Sequence, residues 1–222
     1  MSDVMPETIS LAMMRESLSS AVVCDALDAL GYTNQSPNIA LLPVTVDAVL
    51  VGRCKTTLWE DLHESDPAPY ELELRAVDGC QPDDVLIAAA GGSQRSGIWG
   101  ELLSTAAVNA GCVGVIVDGA VRDVSQMRKM GFPVFAGSRN IYDSKDRQRV
   151  VEIDEPVEID GVRFCPGDLV IADVDGVVVV PAEISDTAIR GAWQKVHAEN
   201  ITRDAIRGGM KASDAYEKYG VL

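Results

Sequence analysis

Basic side chains are scarce: 19 Lys and Arg stand against 34 Asp and Glu, giving a formal charge of −15 over 222 residues. Neutralising phosphates takes clustered Lys and Arg, so this balance excludes a nucleic-acid surface and disfavours an anionic membrane. A small anionic substrate stays admissible, because a local arginine and a helix N-terminus outweigh distant, screened charge. Metal-type cysteine spacing is missing too. Cys24, Cys54, Cys80, Cys112 and Cys165 are scattered, odd in number and form no CxxC pair, the pattern of free thiols in a reducing cytosol. MSDVMPETIS holds neither the basic nor the apolar segment of a signal peptide, and no apolar run approaches membrane-spanning length. A cytoplasmic protein is expected. GGSQRSG (91–97) lacks the G-x-G-x-x-G spacing of a dinucleotide site, and no Gly-Lys-Ser/Thr of a P-loop occurs. With no internal repeat and no linker, residues 1–222 read as one domain.

What is present centres on Gly97–Asp123, GIWGELLSTAAVNAGCVGVIVDGAVRD. Gly97 and Gly100 flank a loop, and Glu101 opens a helical pattern with Leu102, Leu103, Ala106, Ala107 and Ala110 apolar. Gly111 stops that helix, since glycine takes the left-handed C′ conformation freely. Val113–Val117 is an apolar, β-branched run suited to a buried strand, and Asp118-Gly119 reads as a turn. Arg122-Asp123 then falls beyond the strand's carboxyl end, where open α/β sheets place ligands. Two carboxylates (Glu101, Asp123) suit a hard divalent cation. Arg122 and the free N–H groups of Leu102 and Leu103 suit a small carboxylate. Together they describe a site for a 2-oxo acid chelated to Mg²⁺. For Asp123 the competing role is a plain helix N-cap; for Arg122 it is a surface ion pair.

The remaining pattern alternates helices and strands. Residues 8–30 read as one helix with Ser19 or Ser20 as a cap inside it and Gly31 as its stop. Val46–Trp59 reads as strand structure broken at Gly52, Tyr70–Val77 as a short helix and Val85–Ala90 as a buried strand. Asp123–Met130 is a helix closed by Gly131, Pro133–Ala136 begins a strand, and 137–149 is a charged loop. In that loop Arg139 or Lys145 could reach a substrate's distal carboxylate, although solvated charge is the simpler role. Val150–Pro181 is β-rich with a hairpin turn at Asp160-Gly161, and Asp168, Asp173 and Asp175 read as turn acids. Ser185–Arg207 is a long helix carrying Glu199, which as an isolated residue is simply an exposed helix glutamate. With little of its own domain left to cover, the 185–222 segment is expected to pack on a neighbouring subunit.

Glu101, twenty intervening residues and then Arg122-Asp123, set in WGELLSTAA and DGAVRD, resemble an Asp/Glu-x20-Arg-Asp signature. It belongs to the RraA-like family, which joins the regulator of ribonuclease E activity with the metal-dependent 4-hydroxy-4-methyl-2-oxoglutarate aldolases. The likeness runs from about VVCDALDALG to the terminal YGVL. It implies a compact α/β fold of layered β/β/α type with a long C-terminal helix, assembled as a homotrimer or hexamer with sites between subunits. It also implies a lyase that cleaves a 4-hydroxy-2-oxo acid to pyruvate and decarboxylates oxaloacetate with Mg²⁺ or Mn²⁺. On this resemblance Asp123 is the metal ligand, Glu101 acts on the metal through water, and Arg122 binds substrate and stabilises the enolate. Gly100, Leu102 and Leu103 frame the substrate carboxylate, and Glu199 of the partner subunit completes the catalytic set. No lysine is placed for a Schiff base. One departure is Glu101, where the aldolases mostly carry Asp. The alternative is a non-catalytic regulator that binds and inhibits an endoribonuclease. Such regulators tend to be shorter and to replace the Asp after the Arg with an uncharged residue, whereas Asp123 is present here.

Overall fold

The computed structural model describes residues 5–221. Its first half contains α1 (Leu11–Ser17), α2 (Ser20–Ala29), β1 (Leu42–Pro43), β2 (Leu50–Asp61), α3 (Glu71–Asp78), β3 (Asp84–Ala89), β4 (Gly97–Trp99) and α4 (Glu101–Asn109). The second half contains β5 (Gly114–Val121), α5 (Val124–Met130), β6 (Val134–Arg139), β7 (Gln148–Ile153), β8 (Val157–Ile159), β9 (Val162–Phe164), β10 (Leu169–Asp173), β11 (Gly176–Val180), α6 (Ser185–Arg207) and α7 (Ala212–Tyr219).

Alternation along the strands builds the layers, because successive side chains of a strand face opposite sides. In β3, Leu86 and Ala88 face one core with Val77, Ala107 and Met127 of helices α3, α4 and α5. Val85, Ile87 and Ala89 face a second core closed by Val157, Ile159, Val162 and Phe164 of the β8–β9 hairpin. Strands β10 and β11 split likewise: Leu169, Ile171, Val178 and Val180 meet α1, α2 and α6 in a third core. This is the layered β/β/α arrangement expected. The main sheet runs β1-β6-β5-β3-β2-β10-β11, with β4 on β5 and β7 on β2. The run β2-β3-β5-β6 is parallel and the outer pairings are antiparallel. No described helix is long and apolar enough to cross a membrane.

Several local expectations need correction. The 8–30 helix is two helices, parted at Leu18, with Ser19 capping the second by accepting from the Val22 N–H. Strand β2 does not break at Gly52; it runs twelve residues because Gly52 lets two neighbours close in. A Cβ there would lie 2.4 Å from the Asp83 carbonyl oxygen. Asp118-Gly119 is no turn but stays within β5, where the pairing with β6 shifts register between Val117 and Ala120. The 97–100 segment carries the short strand β4, and α6 is not a free extension. Its first half buries Ala188, Ile189 and Ala192 in the third core, packing on α2. Gly131 closes α5 at φ 70°, and Asp160-Gly161 makes the hairpin with both residues left-handed.

Candidate active site

The parallel strands end at one edge of the sheet, and a cleft of about 280 Å³ opens there. Four segments meet around it. Tyr70 at the start of α3 and Glu73 and Leu74 within it line one side; β4 and the start of α4 bring Gly97, Ile98, Gly100, Leu102 and Leu103. The end of β5 brings Arg122 and Asp123, and the loop after β6 brings Asp143 and Ser144.

Arg122 reaches the cleft because β5 hands the chain directly into α5 there, its N–H bonded to the Trp99 carbonyl at 2.8 Å. Its Nη2 lies 2.7 Å from Asp143 Oδ2, and its Nε lies 3.9 Å from Asp123 Oδ2. Asp143 is itself held: Tyr70 donates its hydroxyl to Oδ1 at 2.6 Å and the Lys145 N–H donates at 2.8 Å. Burial would raise the Asp143 pKa, but the Tyr70 hydroxyl, the Lys145 N–H and Arg122 outweigh it and hold the carboxyl below its ordinary value. A fixed anion thus orients the guanidinium.

Asp123 sits at the N-cap position of α5 with left-handed backbone (φ 54°), yet its side chain caps nothing in that helix. Instead Oδ2 points across to α4 and accepts the Glu101 N–H at 3.4 Å. Gly100 makes this possible, since a Cβ there would lie 2.8 Å from Asp123 Oδ2. In the first turn of α4 the N–H groups of Leu102 and Leu103 have no intrahelical acceptor, and Gly100 supplies no side-chain cap. Free N–H groups at a helix N-terminus are the kind of donor that suits an anion. Glu101 stands at the rim rather than in the lining. Its Oε1 accepts from the Thr105 hydroxyl at 3.0 Å, one turn along its own helix.

Glu199 does not reach this cleft within one chain. It lines a groove on α6 with Thr202 and Arg203, and its carboxylate lies 3.5 Å from Arg203 Nη2. His63 is exposed, and Asp25 pairs with Lys195 at 2.6 Å. Asp168 accepts the N–H groups of Cys165 and Ala182, and Asp173 those of Ser20 and Asp175, so both are structural acids.

Tyr70, Glu73, Asp143 and Ser144 were not legible as site residues. Asp143 and Ser144 lie in a charged loop without periodicity. Glu73 left a trace: it sits three and four residues before buried Ala76 and Val77, on the face where an apolar residue belongs. It is only 7% exposed, and burial, reinforced by Asp143, lifts its pKa from 4.5 to about 7 against the Ser144 hydroxyl and Arg122.

A divalent cation fits this donor set in one particular manner. Among the described residues no group of three or more His, Cys, Asp or Glu side chains is gathered to cage a metal. Asp123, whose Oδ2 meets the Glu101 N–H at 3.4 Å and Arg122 Nε at 3.9 Å, and Glu101 at the rim are hard oxygen donors. One or two carboxylates, with water and substrate completing the shell, is the way Mg²⁺ or Mn²⁺ is held.

The RraA-like family model, described as Aldolase/RraA, matches residues 20–179. DlpA of Legionella pneumophila is 28% identical over 220 residues, 98% of this chain but 34% of that protein, so the chain spans about a third of it. A provisionally named 4-hydroxy-4-methyl-2-oxoglutarate aldolase of Halalkalibacterium halodurans is 29% identical over 200 residues, covering 90% of each. The crystal structure of Streptomyces coelicolor RraAS2, an unusual member of the RNase ES inhibitor RraA family, superposes with a TM-score of 0.77. It is 27% identical and covers 89% of this chain and 97% of its own. With the family model matching well over half of its length and the fold shared with RraAS2, the chain belongs to the RraA-like family.

Proposed function

We propose that this protein is a divalent-metal-dependent lyase that cleaves 4-hydroxy-2-oxo acids, such as 4-hydroxy-4-methyl-2-oxoglutarate, to pyruvate and also decarboxylates oxaloacetate. The observation that carries the reading is the convergence of Arg122, Asp123 and the uncapped start of α4 on one cleft. The Leu102 and Leu103 N–H groups hold the carboxylate of the 2-oxo acid. Arg122, oriented by Asp143, donates to the same carboxylate and to the 2-oxo oxygen, where negative charge grows as the C3–C4 bond breaks. A divalent ion held by Asp123 would supply a doubly positive electron sink for those oxygens. Glu101 at the rim would act on the metal through water, and Glu199 of the partner subunit would complete the catalytic set. The active form is a homotrimer or hexamer.

The test is pyruvate release from oxaloacetate and from 4-hydroxy-4-methyl-2-oxoglutarate, with EDTA and with added Mg²⁺. Asp123→Ala and Arg122→Ala are each expected to lose on the order of 100-fold or more in rate. Metal-independent turnover, or full activity in both variants, overturns the mechanism. The likeness to Streptomyces RraAS2, of an RNase-inhibitor family, motivates the second reading, a regulator that inhibits an endoribonuclease. Failure to turn over any 2-oxo acid, together with tight binding to such a nuclease, would favour it.

A further inference from the structure

Arg122 ends a chain of two short contacts that begins on α3. Tyr70 donates its hydroxyl to Asp143 Oδ1 at 2.6 Å, and Asp143 Oδ2 meets Arg122 Nη2 at 2.7 Å. The two bonds use different oxygens of one carboxylate, so the hydroxyl fixes the plane that the guanidinium meets. A hydroxyl donating to a charged carboxylate makes a stronger bond than a neutral pair does. Placing the ring there costs backbone strain. Tyr70 is left-handed (φ 71°, ψ −2°) at the start of α3, and its side chain caps nothing in that helix. A bulky residue stays in that region only where its surroundings over-determine it. Here the Ala68 N–H bonds to Asp66 Oδ1 at 2.9 Å, and the Asp66 N–H bonds to Asp146 Oδ1 at 3.1 Å. The 66–70 turn is therefore tied to the 143–146 loop at two points.

Asp143 is also the carboxyl that keeps its charge in this corner. Burial and Asp143 itself push Glu73 up to about 7. Burial works against the Asp143 anion as well, but the Tyr70 hydroxyl, with the Lys145 N–H and Arg122, holds its pKa below the ordinary value. All of these contacts lie within one chain, so they stand whichever side chains a neighbouring subunit adds.

Resting on the lyase reading, we propose that Tyr70 is a positioning residue: acting through Asp143, its hydroxyl holds the Arg122 guanidinium where charge grows on the 2-oxo oxygen. Arginine is a long side chain with much rotamer freedom, and a donor aimed before charge appears needs no reorganisation as the bond breaks. Asp143 takes one of its five N–H donors and leaves the others for substrate. The α4 N–H groups also hold the substrate carboxylate, so a loosened Arg122 costs more in kcat than in KM.

The experiment measures kcat and KM for 4-hydroxy-4-methyl-2-oxoglutarate and for oxaloacetate, above the metal-only background, using the full chain with Mg²⁺. Wild type is compared with Tyr70→Phe, Asp143→Asn and the double variant. Tyr70→Phe keeps the ring and removes only the hydroxyl; it is expected to lower kcat about tenfold while KM changes less than about threefold. The double variant should lose no more than Asp143→Asn alone, because the hydroxyl then has no anion left to hold. A tyrosine with a merely structural part would lower the melting temperature and leave kcat as it was. Wild-type kcat in Tyr70→Phe, or losses that multiply in the double variant, overturns this inference alone. Absence of wild-type turnover overturns the lyase reading and this inference with it. Should Tyr70→Phe be poorly folded by circular dichroism, Asp143→Asn decides, and wild-type kcat there overturns the relay.

Discussion

Two non-glycine residues hold left-handed backbone at the cleft, Asp123 (φ 54°) and Tyr70 (φ 71°). Such conformations cost on the order of 1–3 kcal/mol and persist where the surroundings over-determine them. For Asp123 the surroundings include the missing side chain of Gly100. Gly100→Ala is expected to displace the Asp123 carboxylate and lower activity by at least tenfold while leaving the far-ultraviolet circular dichroism intact. Glu73 gives a pH signature. Its folded pKa, about 7, lies above its ordinary 4.5 because burial disfavours the carboxylate. The stabilisation is therefore fully present below pH ~4.5 and is lost as pH rises through ~7. Relative to Glu73→Gln, wild type should lose about 2 kcal/mol between pH 5.5 and 8.5. Urea unfolding at the two pH values checks this, and the difference between proteins cancels opposing groups such as Asp143. Parallel curves would show that Glu73 is not held neutral.

At the scale of elements, β2 organises the sheet. Its first residues pair with β10 on one side, its later residues with β7, and β3 lies along the other side. Gly52 sits among these neighbours, with Asp83 O and Val85 Cγ2 within 2.4 and 2.7 Å of where a Cβ would be. Gly52→Ala is expected to destabilise by roughly 1–3 kcal/mol, the usual cost of overpacking, measured by denaturant unfolding at constant m-value. Ser19→Ala removes the cap of α2 and should cost about 1 kcal/mol. The irregularity in β5 has a comparable origin. Gly119 lies close to the Ser93 carbonyl (2.9 Å from a notional Cβ), and pairing with β3 and β6 on either side carries the strand through a dipeptide whose composition signals a turn. The strand then carries on to Val121, which sets Arg122 and Asp123 at the cleft.

On the scale of the whole molecule, the cleft opens among exposed apolar groups. Leu102 is 77% exposed and Ile141 88%, with Leu74 and Tyr142 also uncovered. The second half of α6 buries little apart from Thr202. In the proposed oligomer both surfaces are covered, and α6 of one protomer brings Glu199 to the cleft of the next. Light scattering is expected to give three or six times the 23.7 kDa chain mass. Glu199→Ala and Asp123→Ala should each be inactive alone yet recover activity when co-expressed, since a mixed trimer can restore one complete site. A monomeric, fully active protein would contradict this assembly.

The sequence by itself determined the elements whose signals are local: a cap at Ser19 or Ser20, the Gly131 helix stop, the Asp160-Gly161 hairpin and the unbroken Ser185–Arg207 helix. Each rests on residues within one turn of one another, so neighbours in the chain suffice. The RraA-like resemblance came equally from a contiguous stretch. Tertiary structure alone decided what depends on distant segments. It kept β2 intact through Gly52, carried β5 through Asp118-Gly119, and set Asp143 from a structureless loop against Arg122. It also turned Glu73 inward from α3, because only the assembled sheet edge fixes which helix face looks into the cleft. Periodicity tells which side of a helix is buried; it carries no information about which remote charge that side will meet.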